Sequence, residues 1–241
     1  MDAPRTTIWD LEPHSRAKHE ILRRYMQAWM AILRQSGYPN LVYIDGFASP
    51  GRYSKGEDGS PIIALKAALE NQARIKSAIR FLFVEERNDR ARVLGQILDE
   101  VERPPRFSVK VAEGITFEQA ATSFLDELAL KGQRLPPTFA FIDPLGWKGV
   151  PFQVVQCILS FRSCEALVTF MYEEINRFIG HPQQERNFKL FFGTDEWRQG
   201  IRLREPRERN RFLHDLYLLQ LRNATGVRYV RSFELRNDRD V

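Results

Sequence analysis

Cysteine is almost absent from this chain: two occur in 241 residues, Cys157 and Cys164. Neither belongs to a CxxC pair or stands near histidines at metal-ligand spacing, which excludes a disulfide framework and a structural zinc; both are read as buried, reduced thiols and no metal is expected. Long apolar runs are missing as well. No uninterrupted stretch approaches the ~18 residues of a membrane span, and residues 1–14 carry acids and no apolar h-region, so neither a span nor an export signal is expected and the chain is read as cytoplasmic. There is no internal repeat and no low-complexity tract. The loop after the first strand also lacks the G-x-G-x-x-G spacing, which sets a nicotinamide oxidoreductase aside.

What is present suits one α/β domain. A chain of 241 residues with 43% hydrophobic content can bury a sizeable core. The net charge of +5 comes mostly from arginine, which supplies 28 of the 36 basic residues. Arginine forks onto phosphate and stacks on bases, so the bias is either a general preference or the footprint of a nucleic-acid partner.

The organising stretch is Leu41-Val42-Tyr43-Ile44-Asp45-Gly46-Phe47-Ala48-Ser49-Pro50-Gly51. A short apolar run ending in an acid and then a turn of small residues is how a buried parallel strand opens onto a ligand-cradling loop. Gly46 and Gly51 are the positions where the backbone is expected to take a positive φ and to approach a ligand closely. Before this strand, Ile21, Leu22, Tyr25, Trp29, Ile32 and Leu33 recur at helical spacing, with Ser15 as N-cap and Gly37 past the end, and His14 and His19 are read as surface residues. After it, residues 50–59 are turn formers, too polar for a core and too long for a simple connection, and are read as a mobile flap. Ser60 is expected to cap a helix with Pro61 at its first position.

The pattern then repeats. Residues 80–85 form a strand ending at Glu85, residues 107–113 one ending at Glu113, and residues 138–143 one ending at Asp143. Helices lie between them, one opened by the capping box Thr116-x-x-Gln119. A fifth strand is expected over residues 166–172 and a sixth over residues 227–235. Strands alternating with helices, each with an acid at its carboxyl end, describe a Rossmann-like doubly wound, mostly parallel sheet. Residues 1–37 are a helical cover and residues 181–226 a helical insertion in a single domain spanning residues 1–241.

Asp45, Phe47, Ser49 and Gly51 resemble the class I methyltransferase motif Asp-x-Phe-x-Gly-x-Gly, with Ser49 in place of the first glycine. In such an enzyme S-adenosylmethionine (SAM) lies on this loop, Glu85 takes the ribose hydroxyls and Glu113 the adenine amine. Asp143-Pro144-Leu145-Gly146 resembles the strand-tip motif of amino-methyltransferases, in which an acid and a proline-fixed carbonyl accept hydrogen bonds from the acceptor amine. Trp147 then either stacks on a base or packs under its loop, and Arg52 and Tyr53 on the flap complete the substrate side.

Five segments together carry a more specific resemblance. They are Lys18-His19-Glu20-Ile21-Leu22-Arg23-Arg24-Tyr25, Tyr43 through Gly51, Ile142-Asp143-Pro144-Leu145-Gly146, Thr169-Phe170-Met171-Tyr172 with Ile175-Asn176-Arg177-Phe178, and Phe192-Gly193-Thr194-Asp195-Glu196-Trp197. They resemble the three-Cys-motif partner (TcmP) family over residues 9–236. The resemblance implies a methyltransferase-like protein, commonly bacterial or prophage-borne, working with a radical-SAM-like protein that carries three cysteines. It implies a further strand and helix after residue 241, which would make this chain a fragment with one unpaired sheet edge. Two functions follow as expectations: an N-methyltransferase acting on a nucleic-acid or nucleoside amine, or a non-catalytic module that docks the three-Cys partner. Arg198, Arg202, Arg204, Arg207, Arg209 and Arg211 are either a DNA- or RNA-binding surface or a solvated helix face paired with Glu205 and Glu208.

Overall fold

The computed structural model describes residues 6–33 and 35–235. After helix α1 (Pro13–Leu33), strand β1 (Asn40–Asp45) starts a regular alternation of helices and strands. It runs through α2 (Ser60–Glu70), β2 (Ala78–Glu85), α3 (Asn88–Asp99), β3 (Phe107–Glu113), α4 (Phe117–Leu130), β4 (Thr138–Ile142), α5 (Phe152–Leu159) and β5 (Glu165–Val168). The strands pair in the order β3-β2-β1-β4-β5, every pair parallel. Strand order reverses between β1 and β4, so a crevice opens at the carboxyl ends of those two strands.

Period-two alternation divides the strands between two cores. Tyr43, Phe81, Phe83, Phe107, Phe139 and Phe141 face α1, α2 and α3, where Leu22, Met26, Ile62, Leu65 and Leu94 meet them. Val42, Ile44, Leu82, Val84, Ala140 and Ile142 face the other way, toward Phe124 of α4 and Val155 of α5. Each valine, leucine, isoleucine, methionine or phenylalanine so removed from water contributes about 1.5–3 kcal/mol. The second core is completed by a helical stretch after β5: α6 (Tyr172–Phe178), α7 (Glu185–Phe192), α8 (Gln199–Arg202) and α9 (Pro206–Thr225). Phe188, Phe191, Phe192, Trp197, Leu213 and Tyr217 from this stretch are all buried in it.

Several boundaries differ from the sequence reading. α1 begins at Pro13 rather than after Ser15, and its buried stripe is His19, Leu22, Met26, Trp29, Met30 and Leu33. Tyr25 and Ile32, expected inside, are exposed; the two methionines take their place because their unbranched side chains fill the irregular space over the aromatic strands. Gly59 rather than Ser60 precedes α2 as its cap. β5 ends at Val168, and Tyr172 instead opens α6, whose first turn holds Glu173 and Glu174 against the positive end of the helix dipole. The sixth strand is not formed within the described residues. Left-handed Gly226 ends α9, and residues 227–235 form no strand, with Tyr229, Phe233 and Leu235 exposed. Their alternation is strand-like, but a strand requires a neighbour to bond to. Cys164 is buried as expected, whereas Cys157 is exposed. No helix among the described residues is long and apolar enough to cross a membrane.

Candidate functional site at the strand tips

β1 delivers Asp45 to the crevice with its side chain wholly buried. Its Oδ1 accepts the Phe47 N–H at 3.1 Å, while its Oδ2 is buried without a hydrogen bond. Burial drives its pKa up to about 7, opposed by the Ser60 hydroxyl and the Phe47 N–H and reinforced by the charges of Asp143 and Glu85. The loop that follows is held to the sheet by its own backbone. Gly46 N–H donates to Phe141 O at 2.9 Å and Ala48 N–H to Val84 O at 2.8 Å. Phe47 turns onto the ring of Phe117.

Ser49 takes the left-handed conformation, with φ of 58°, at the position where the methyltransferase motif has glycine. Gly51, with φ of 82°, is confined further: a Cβ there would lie 2.7 Å from Leu94 Cδ1. The loop thus keeps the glycine-type backbone of the motif although one of its residues is serine, at a cost of about 1–2 kcal/mol.

Glu85, at the tip of β2, is nearly buried. It accepts the Arg87 N–H at 2.9 Å, and burial raises its pKa against the pull of that N–H and of Arg90. Glu113 pairs with it in register at the tip of β3. It is exposed and lies 3.3 Å from Arg92, so this acid meets solvent where Glu85 is covered.

β4 ends at Ile142, and Asp143 follows it into the same crevice as Asp45. Its Oδ1 holds Lys18 Nζ of α1 at 2.7 Å. The Pro144 carbonyl accepts Gly146 N–H at 3.0 Å, leaving it one lone pair for another donor. Gly146 has φ of 111°, which only glycine adopts without strain, so its part is to turn the chain. Trp147 is not a platform for a base. It is 2% exposed and lies flat on Phe188, ring centroids 4.0 Å apart, because the aromatic run of α7 needs a partner inside the second core.

The expected flap is fastened. Within it Gly59 N–H bonds to Gly51 O and Tyr53 N–H to Glu57 O, and Arg52 bridges Asp58 through the backbone and an ion pair. Ser54 N–H reaches Trp9 O at 2.9 Å, and Ser54 Oγ and Lys55 both meet Asp10. Tyr53 supplies the apolar anchor that composition did not suggest: its ring lies 5.9 Å from that of Trp9 and 5.6 Å from that of His19. Trp9 in turn covers the Arg90 guanidinium at 4.5 Å. The residues before α1 therefore form a roof over the tips of β1 and β2.

Lys18, His19 and Trp9 are site residues that the sequence reading missed. His19 is buried, its Nδ1 without a hydrogen bond, and burial lowers its pKa to about 4, partly offset by Asp143. A signal for it existed in the spacing, since residues 19, 22, 26, 29, 30 and 33 form one helical stripe.

No family model matches this chain, and no curated protein matches it. Among the described residues no three His, Cys, Asp or Glu side chains are grouped to hold a metal ion. The six arginines divide: Arg198 is engaged with Asp195 and Glu185, and Arg209 is bound by Gly200 O, Leu203 O and Asn176. Arg202, Arg204, Arg207 and Arg211 are exposed.

Proposed function

We propose that this protein binds SAM at the tips of β1, β2 and β4 and transfers its methyl group to an amine. The observation that carries the reading is the gathering of Asp45, Glu85 and Asp143 at neighbouring strand tips, Asp45 and Glu85 buried, with the charges of Asp143 and Glu85 raising the proton affinity of Asp45 beyond what burial does. Such a crevice repels the pyrophosphate of a dinucleotide and suits a ligand with hydroxyl donors and a positive charge. SAM has both, in its ribose and its sulfonium. The buried, unbonded Asp45 Oδ2 offers an acceptor on this loop, and Glu85 a carboxylate for the ribose. SAM brings a methyl already activated for attack. The protein's work is then to orient the amine at Asp143 and the Pro144 carbonyl and to keep water out with Trp9, Tyr53 and His19. The acceptor we favour is a nucleic-acid or nucleoside amine, approached past the exposed Arg204, Arg207 and Arg211, with a three-Cys radical-SAM-like protein as working partner.

Calorimetry with SAM, S-adenosylhomocysteine and NADH tests the donor site. SAM and S-adenosylhomocysteine should bind and NADH should not; NADH binding alone would overturn the reading. A second reading, a non-catalytic module that docks the three-Cys partner, is favoured by one observation: Lys18 already engages Asp143. Methyl transfer from labelled SAM to short DNA or RNA distinguishes the two, since a docking module binds SAM without turnover.

A further inference from the structure

An amine already sits at the proposed acceptor position. Lys18 Nζ lies 2.7 Å from Asp143 Oδ1, and the two side chains are only 14% and 15% exposed. Asp143 stands at the end of β4 where strand order reverses, so this ammonium occupies the mouth of the crevice. The helix that delivers it is secured unevenly. From Leu22 to Leu33 its inner face is fully packed against the aromatic core. Ahead of Lys18 the first turn has Pro13 and Arg16 exposed and His14 and Ser15 half-buried. Among the described residues, residues 13–16 meet the loop after β1 through the Arg16–Glu57 ion pair at 3.7 Å, with Arg16 67% exposed, while on either side of them Trp9, Asp10 and His19 are held to Tyr53, Ser54 and Lys55. A contact of that kind is worth about 0–1 kcal/mol, so the first turn of α1 can open between those two anchor points while the rest of the helix stays in place.

We propose that Lys18 is an internal occupant of an amine seat at Asp143, and that an acceptor amine enters by displacing it as the first turn of α1 lifts from the strand tips. Lys18 is then a specificity-determining residue. What takes its place must be an amine, able to donate to the carboxylate as Nζ does, and a thiol or carbon acid would leave Asp143 without an equivalent donor. Once released, the ammonium passes to water at the protein surface, and the carboxylate it leaves would have the sulfonium of the bound donor as its counter-charge.

This inference rests on the methyl-donor reading, and the experiment separates the two. Sinefungin carries an amine where SAM carries its methylated sulfonium, whereas S-adenosylhomocysteine has no group there. Calorimetry with both on the wild type, Lys18→Met and Asp143→Asn reads the seat directly. Lys18→Met should tighten sinefungin at least fivefold and leave S-adenosylhomocysteine within twofold; Asp143→Asn should erase the difference between the ligands. An unchanged sinefungin preference in Lys18→Met would overturn the seat while leaving the donor site standing. Failure of both ligands to bind the wild type would overturn the donor site and the seat with it. Without any variant, amide exchange across residues 13–19 should quicken at least tenfold when sinefungin binds, and equal or slower exchange would overturn the displacement.

Discussion

Glu85 and Glu113 end adjacent strands, pair with one another in register and are each followed within a few residues by a helix. The fold treats them differently. Glu85 lies under the roof made by Trp9 and the residues before α1, with its charge unfavourably buried; Glu113 stands in water beside Arg92. Trp147 and Tyr53 show the same contrast among aromatics, one sealed in the second core and the other forming the wall of the crevice. A strand tip is therefore not a binding position by itself. It becomes one where a segment from elsewhere in the chain closes over it and leaves a polar group incompletely satisfied.

The sharpest way to test the aromatic contrast is Trp147→Ala. Removing a buried tryptophan stacked on Phe188 should cost about 3–5 kcal/mol in urea unfolding, whereas Tyr53→Ala, at the rim of the crevice, should cost much less. Equal losses would mean that the roof is as much part of the core as the aromatic cluster.

Asp45 offers a test through pH. Its pKa is raised to about 7 in the folded protein from an unfolded value of 3.8, so between those values the folded state binds more protons than the unfolded. Its effect on stability is therefore most favourable below about pH 4 and is lost as pH rises through about 7. His19 acts in the opposite sense: its pKa of about 4, against 6.5 unfolded, removes stability as pH falls from 6.5 to 4. The difference between wild type and Asp45→Asn isolates the acid. Wild type should lose stability relative to Asp45→Asn as pH climbs from 4 to 7.5, and a flat difference would mean that this carboxylate is not buried.

The acids themselves come next in size. Glu85→Ala should weaken SAM binding more than tenfold, at least ~1.4 kcal/mol, while Glu113→Ala should change it less than twofold. Similar losses from both would restore Glu113 to the site. The smallest effect concerns Ser49. Replacing it with glycine relieves a left-handed serine but adds freedom to the unfolded chain, so a gain of under about 1 kcal/mol in stability is expected, with SAM affinity unchanged or tighter. A loss of SAM affinity would instead assign the serine side chain to the ligand.

The strands, their parallel order and the crevice were legible because each rests on local pattern. Apolar runs ending in acids mark buried parallel strands, and Thr116 with Gln119 forms the capping box that was read for α4. The left-handed positions of the loop were legible only in part: Gly51 has the positive φ expected of it, but the second left-handed residue is Ser49 and not Gly46. The sixth strand was misread for the complementary reason: residues 227–235 carry strand-like residues, and no local feature shows whether a partner strand is at hand.

The sequence by itself determined a doubly wound α/β domain with Asp45 and Asp143 at strand ends, because periodicity and strand-end chemistry are properties of neighbouring residues; that the strand order reverses between those two strands is a tertiary outcome. Only the tertiary structure decided which acids are buried, that Trp147 belongs to the core, that residues before α1 roof the site, and that Lys18 reaches Asp143. Those outcomes depend on contacts between residues as far apart as 125 positions. Burial, and with it the shifted charge of Asp45 and His19, arises only when distant segments exclude water together.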